Sequence, residues 1–247
     1  MLSKSQVKYI QSLNQKKLRQ ENGVFVAEGP KILNELLAAK NTEPVALFGT
    51  TEWWKDNDRI KNEIPFVAFH EISEAELERI SFLSTPHQVL GIFKVPGFTS
   101  TVDPSTSLTL VLDNIQDPGN MGTIIRIADW FGIRHIVASK ETADIFNPKV
   151  VQSTMGSLSR VQVAYEDLPE FTHRYPGIPV YASTLDGKPL KTFGKINNGL
   201  LLIGNESKGL RKELLELSTE HITIPRYGEA ESLNAAVATG IILSHLL

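Results

Sequence analysis

Cysteine is absent from the 247 residues. That excludes disulfides, thiolate metal sites and cysteine nucleophiles together, and it fits a reducing compartment. No apolar run reaches the roughly 18 residues needed to cross a bilayer. The opening stretch MLSKSQVKYIQSLNQKK holds no apolar signal core. A cytoplasmic protein without membrane contact is expected. The chain also lacks H-E-x-x-H, the G-x-G-x-x-G dinucleotide loop, the P-loop and the G-x-S-x-G elbow. Its six histidines (70, 87, 135, 173, 221 and 245) show no ligand spacing, so no metal is expected.

What is present is an ordinary globular composition, 41% hydrophobic and 21% charged, sufficient for a sizeable core. The formal net charge of −3 hides an uneven distribution. Residues 1–40 hold seven Lys/Arg against three Glu, whereas residues 41–100 hold five against nine acidic side chains. A basic segment on an acidic body is a local footprint for phosphate, or else a solvated helix face. Trp53 and Trp54 beside Lys55 could stack on bases, although tryptophan more often fills a core.

The pattern of elements divides the chain. Residues 1–95 read as a small α/β unit with strands at VFVAEG, VALFGT, FVAF and VLGIFKV, and a capping box at Ser73 and Glu76. Residues 96–107, rich in Pro, Gly, Ser and Thr, read as a linker. Residues 108–247 alternate strands with helices, six strands in all, which implies a mostly parallel sheet covered on both faces. The expected helices include one from about Met121 to Phe131 and a terminal one from Ser232 to Leu247.

Three loops in this second part follow apolar strands: DPGNMGTIIR (117–126), IGNESKGL (203–210) and IPRYGEAESLNAAVATG (224–240). They would gather Asn120, Arg126, Glu206, Ser232 and Asn234 at the carboxyl ends of parallel strands, where ligands are usually held. Each loop has a plainer reading. Asp117–Asn120 could be a simple turn into a helix. Glu206 could serve a helix dipole, and Ser232 could be an N-cap. Asn234 is harder to pass over, because asparagine is a mediocre helix former.

Taken in order, the loops resemble the three signature motifs of the SpoU/TrmH family of RNA 2′-O-ribose methyltransferases. Asn120 and Arg126 match the first, Gly204 and Glu206 the second, and Ser232, Leu233 and Asn234 the third. NPKVVQSTMGSLSRVQV (147–163) resembles the segment between motifs one and two, with Thr154 and Met155 where small residues are common. FVAEGPKILNELL (25–37) resembles the L30e/L7Ae-like RNA-binding extension of many members.

The resemblance implies an α/β fold whose C-terminal parallel-sheet domain carries a deep trefoil knot, S-adenosylmethionine as cofactor, and a homodimer with active sites built from both subunits. It places cofactor contacts near Ile203, Gly204, Ile224 and Leu233. It assigns catalysis to Arg126, Asn120, Glu206, Ser232 and Asn234. The basic residues Lys4, Lys8, Lys16, Lys17 and Arg19 would meet RNA. Ribosomal RNA is expected over transfer RNA, with a transfer-RNA enzyme or a non-catalytic RNA binder as alternatives. A guanidinium stays protonated, so Arg126 is expected to clamp a phosphate rather than act as a base.

Overall fold

The computed structural model of the chain describes residues 1–97 and 102–247. The chain forms two compact units, Met1–Phe98 with Phe146–Ser159, and Thr99–Ile145 with Arg160–Leu247.

The first unit opens with helices α1 (Lys4–Ser12) and α2 (Lys16–Asn22). Ser3 and Gln6 form a capping box at the start of α1. Gly23, at φ +63°, stops α2 in the left-handed conformation that glycine adopts without strain. There follow β1 (Val24–Glu28), α3 (Pro30–Ala38), β2 (Pro44–Thr50), α4 (Thr51–Asn57) and α5 (Ile60–Glu63). The run ends with β3 (Ala68–Ile72), α6 (Glu74–Ile80) and β4 (Val89–Lys94). The sheet order is β1-β4-β2-β3, and only β2 and β3 are parallel. Ser73 and Glu76 close the expected capping box of α6. Trp53 and Trp54 are buried, and the Trp54 indole donates to the His70 carbonyl at 3.1 Å, so this pair is core rather than a stacking surface.

Arg19, expected on the RNA-facing surface, is 2% exposed. One guanidinium nitrogen donates to the carbonyls of Leu13 and Asn14, both at 2.8 Å. These are carbonyls at the end of α1, where a cation is favoured. Lys4, Lys8, Lys16 and Lys17 are exposed.

The second unit contains β5 (Leu108–Leu112), α7 (Pro118–Trp130) and β6 (His135–Ala138). The next helix, α8 (Pro148–Thr154), falls within Phe146–Ser159 and so groups with the first unit. There the Phe146 ring lies 5.0 Å from that of Phe25. The second unit then continues through β7 (Gln162–Tyr165), α9 (Leu168–His173), β8 (Val180–Pro189), β9 (Gly199–Ile203), α10 (Lys212–Leu217), β10 (Glu220–Thr223) and α11 (Ala235–Leu246).

The strand order is β10-β8-β9-β5-β6-β7, with every pair parallel. Every residue of β5 and β9 is buried, as expected of central strands covered on both faces. On one face Val111, Val137, Leu200 and Leu202 pack with Leu168, Phe171, Leu210 and Leu214. The chain winds outward from β5 through β6 and β7, then returns to fill the other side. The winding therefore reverses between β5 and β9, and the crevice beyond their carboxyl ends is where such sheets hold ligands.

The linker expected over 96–107 lies partly outside the described residues. Its last part is fastened to the second unit: Tyr175 donates to the Val102 carbonyl at 2.8 Å, and Asn198 to that of Ser105 at 3.0 Å.

Candidate active site

Motif one follows β5 and motif two follows β9, on either side of the winding reversal. Asp117 caps α7, accepting the Asn120 N–H at 2.8 Å. Pro118 occupies the first helical position, where its fixed φ suits the helix. A side chain on Gly119 would approach the Asp117 carboxylate at 2.9 Å. The helix thus starts three residues earlier than expected. Asn120 lies inside its first turn rather than in the loop.

This changes the relation of Asn120 to Arg126. Six residues along a helix put two side chains about 120° apart and about 9 Å along the axis. Asn120 is half-buried and Arg126 is exposed. The Arg126 side chain makes no hydrogen bond or ion pair among the described residues. The two do not converge on one point within a single chain.

Asn120 instead joins the other two motifs. Its amide nitrogen donates to Glu206 Oε1 at 2.5 Å. Its amide oxygen accepts from Asn234 Nδ2 at 2.7 Å. Asn234 in turn caps α11, accepting the N–H groups of Ala236 and Val237 at 3.0 and 3.2 Å. Ser232 is therefore not the cap. It is exposed, three residues before the helix. A directional line runs from the α11 terminus through two amides to one carboxylate, linking residues 86 and 114 positions apart.

Supporting residues hold the loops, and sequence reasoning missed them. Asp113, buried at the end of β5, lies 2.8 Å from Arg211 Nε and accepts the Arg211 backbone N–H at 2.9 Å. Asn205 donates to the Asn114 carbonyl at 2.9 Å and accepts the N–H groups of Ser207 and Lys208. Asn114 adopts a positive φ of 58°, which asparagine tolerates better than most residues. A signal was present: LVLDN puts an acid directly after a continuous apolar strand, and a buried carboxylate needs a partner.

The residues expected near a cofactor can be tested for fit. A side chain on Gly204 would meet the backbone of Gly209 and Leu210 at 2.4 to 2.7 Å. The Gly204–Leu210 loop is closed by reciprocal bonds between Asn205 and Gly209 at 3.1 and 2.9 Å. In the loop after β10, the N–H groups of residues 226–233 make no backbone hydrogen bond among the described residues. Leu233 is 45% exposed beside them. Backbone donors next to apolar surface suit a purine edge and a thioether chain. Ile203, Gly204, Ile224 and Leu233 would hold S-adenosylmethionine. Among the described residues, no group of three or more His, Asp or Glu side chains is placed to bind a metal.

The three hydrogen-bonded loops beside the winding reversal are the ones that resemble the signature motifs of S-adenosylmethionine-dependent RNA methyltransferases, and comparison with known proteins places the chain in that class. The SpoU rRNA Methylase family pattern matches residues 107–244, and that of the MRM3-like substrate binding domain matches residues 4–91. The 23S rRNA (guanosine(2553)-2′-O)-methyltransferase RlmP of Bacillus subtilis (strain 168) is 32% identical over 244 residues, covering 97% of this chain and 95% of that one. The AdoMet-bound rRNA methyltransferase from Sinorhizobium meliloti superposes with a TM-score of 0.85 at 33% identity, covering 98% of this chain and 95% of that one. The fold is shared by the SpoU methyltransferase AviRb from Streptomyces viridochromogenes, at TM-score 0.83 and 23% identity over 98% of this chain and 96% of that one. The chain belongs to the SpoU rRNA methylase family.

Proposed function

We propose that this enzyme methylates a ribose 2′-hydroxyl of ribosomal RNA. The line Glu206–Asn120–Asn234, which joins all three motifs at the winding reversal, carries this reading. The Bacillus relative acts on 23S rRNA, which supports ribosomal over transfer RNA.

Bound S-adenosylmethionine supplies an activated methyl group; the chain's own residues orient the ribose and handle its proton. Asn120 engages one oxygen of Glu206. Glu206 is the one ionisable proton acceptor in the line, and its second oxygen is not engaged by Asn120. Asn234 fixes the Asn120 amide, so the carboxylate is held in one position. Holding a nucleophile in line with its target supplies several kcal/mol of a barrier. Ser232 and the exposed loop around it bind the nucleotide.

Arg126 clamps an RNA phosphate and stabilises charge developing on the attacking oxygen. Its position, turned away from Asn120, suits service to the site of a second copy. The homodimer is supported by an apolar pair on α11, Val237 and Ile241, four residues apart at 51% and 38% exposure, with Leu233 just before the helix at 45%. Apolar side chains at that spacing share one helix face. The loops at 203–211 and 224–234 form the trefoil knot that the family resemblance implies. The exposed Lys4, Lys8, Lys16 and Lys17 position the RNA, and the MRM3-like substrate binding domain match over residues 4–91 supports that role.

The test mixes two inactive variants, Arg126→Ala and Asn120→Ala, in tritiated-methyl transfer to undermethylated ribosomal RNA. Random pairing makes half the dimers mixed, each with one complete site of two, so about a quarter of wild-type activity returns. No recovery rules out sharing between subunits. A wild-type protein that transfers no methyl to ribosomal RNA rules out the function.

A further inference from the structure

The loop from Ile224 to Asn234 joins two places that lie apart in the sheet. It leaves β10, an edge strand, and ends on Asn234, whose amide meets Asn120 in the first turn of α7, beyond β5. The order β10-β8-β9-β5 puts three strand spacings between those ends, about 14 Å. All four strands run parallel, so the loop crosses the carboxyl ends of β8 and β9, above the crevice. Fully extended, a segment of this length would span about 33 Å, so the loop has slack to arch. Arg226 draws in part of that slack: its guanidinium donates to the Ala230 carbonyl at 3.4 Å.

Tyr227 stands in the turn that this bond closes. It is 92% exposed and makes no hydrogen bond among the described residues. Its ring belongs to no core. Charge sorts what that ring can meet. Residues 226–234 are all exposed and carry Arg226 against Glu229 and Glu231, one positive charge and two negative. A loop that is net negative repels a phosphate. A neutral base is different: its face stacks on the ring, and its N–H groups can donate to a carboxylate. A second copy of the chain fits this loop poorly, because protein interfaces are depleted in glutamate. The apolar pair offered to a partner, Val237 and Ile241, lies on α11, past the end of the loop.

We infer that Tyr227 is the platform on which the base of the methylated nucleotide stacks. The inference rests on the reading that the substrate is RNA. For in-line attack the 2′-hydroxyl must enter the crevice. Its nucleotide then leaves the stack of its neighbours, and the splayed base needs a new partner. An exposed aromatic ring above the crevice supplies one, and stacking of this kind accepts any base because every base has a flat face. The neighbouring phosphates fall to cationic groups elsewhere, not to this acidic loop. The nucleotide is thus gripped twice, at its base by Tyr227 and at its ribose by the line from Glu206 to Asn234.

The experiment compares full-length wild type with Tyr227→Ala, Tyr227→Leu and Tyr227→Phe, using undermethylated ribosomal RNA and tritiated-methyl S-adenosylmethionine. Alanine and leucine should lower kcat/KM for RNA at least tenfold. Phenylalanine should hold it within threefold, because stacking uses the ring and not the hydroxyl. Calorimetric affinity for S-adenosylmethionine stays within twofold in all three, which also reports that they are folded. Once the methylated nucleotide is mapped, an RNA lacking that one base should be methylated equally slowly by wild type and Tyr227→Ala. An unchanged kcat/KM in Tyr227→Ala overturns the inference, as does a leucine variant equal to phenylalanine. A penalty that persists on the RNA without the base overturns it too. So does a weakened cofactor affinity, or a variant that sediments as a smaller species, since Tyr227 would then serve the cofactor or a second copy. A binding readout stands apart from methyl transfer. Trp53 and Trp54 are buried and Trp130 is exposed, so Tyr227→Trp/Trp130→Phe leaves position 227 with the one exposed indole, whose emission the RNA should quench. If wild type transfers no methyl, the functional reading falls, and the quench decides separately whether RNA meets this position.

Discussion

Asn234 uses the two ends of one amide for different purposes, and substitution can separate them. Its oxygen caps α11 and its nitrogen donates to Asn120. Asn234→Ala removes both. A lost cap costs about 1 kcal/mol, and an exposed neutral hydrogen bond about 0.5 kcal/mol. The sum, about 1.5 kcal/mol, lowers Tm by roughly 3–6 °C for a chain of this size. Asn234→Asp should behave differently. Aspartate caps a helix as well as asparagine does, and its charge suits the positive end of the dipole. Yet it sets a carboxylate against the Asn120 amide oxygen. Asn120 cannot turn its amide round, because its nitrogen already serves Glu206. The Asp variant should therefore melt within about 2 °C of wild type and lose at least tenfold in kcat, with cofactor affinity retained. Differential scanning calorimetry, calorimetric titration with S-adenosylmethionine, and single-turnover methyl transfer measure the three quantities. Wild-type turnover in the Asp variant would refute the idea that this line positions the reacting groups.

Gly204→Ala should abolish tight S-adenosylmethionine binding, by tenfold or more in Kd measured calorimetrically. The added carbon meets backbone on both Gly209 and Leu210 and no flexible side chain can yield; an unchanged Kd would remove the motif-two loop from the cofactor site. Glu28 offers a pH test in the first unit. Burial raises its carboxyl above the usual range, although hydrogen bonds from Ser81 and the Phe82 N–H oppose this. A raised folded-state value means that its contribution to stability is complete below the unfolded value of about 4.3 and is lost as pH rises through the folded value. Urea midpoints for unfolding of the first unit should therefore fall over that interval in wild type, and Glu28→Gln should flatten the slope; parallel profiles would exclude Glu28 as the source.

The sheet of the second unit was legible because its strands are short apolar runs between turn residues. LTLVLDNI and LLLIG became β5 and β9 with all residues buried. Helix starts were less legible. Pro118-Gly119 reads as a turn on composition, yet Asp117 caps it into a helix. Ser232 is as good a capping residue type as asparagine, but Asn234 takes the cap and also reaches Asn120. Arg19 was misjudged because local charge does not reveal which cation turns inward to helix carbonyls. The side-chain line across the three motifs could not be read from spacing. Its contacts depend on β9 lying next to β5, which local periodicity does not encode.

That adjacency also governs how the protein is made. β9 pairs with β5, with Leu108 opposite Gly199 and Leu112 opposite Ile203. Parallel pairing over so long a loop is slow to form. At translation rates of about 5–20 residues per second, roughly 5 to 20 s pass between synthesis of Leu112 and Ile203. Throughout that interval β5 has β6 on one edge only, and its other edge is an apolar strand without a partner. A nascent chain in this state invites strand addition by its neighbours. The catalytic unit thus closes late in synthesis, when its central strand arrives.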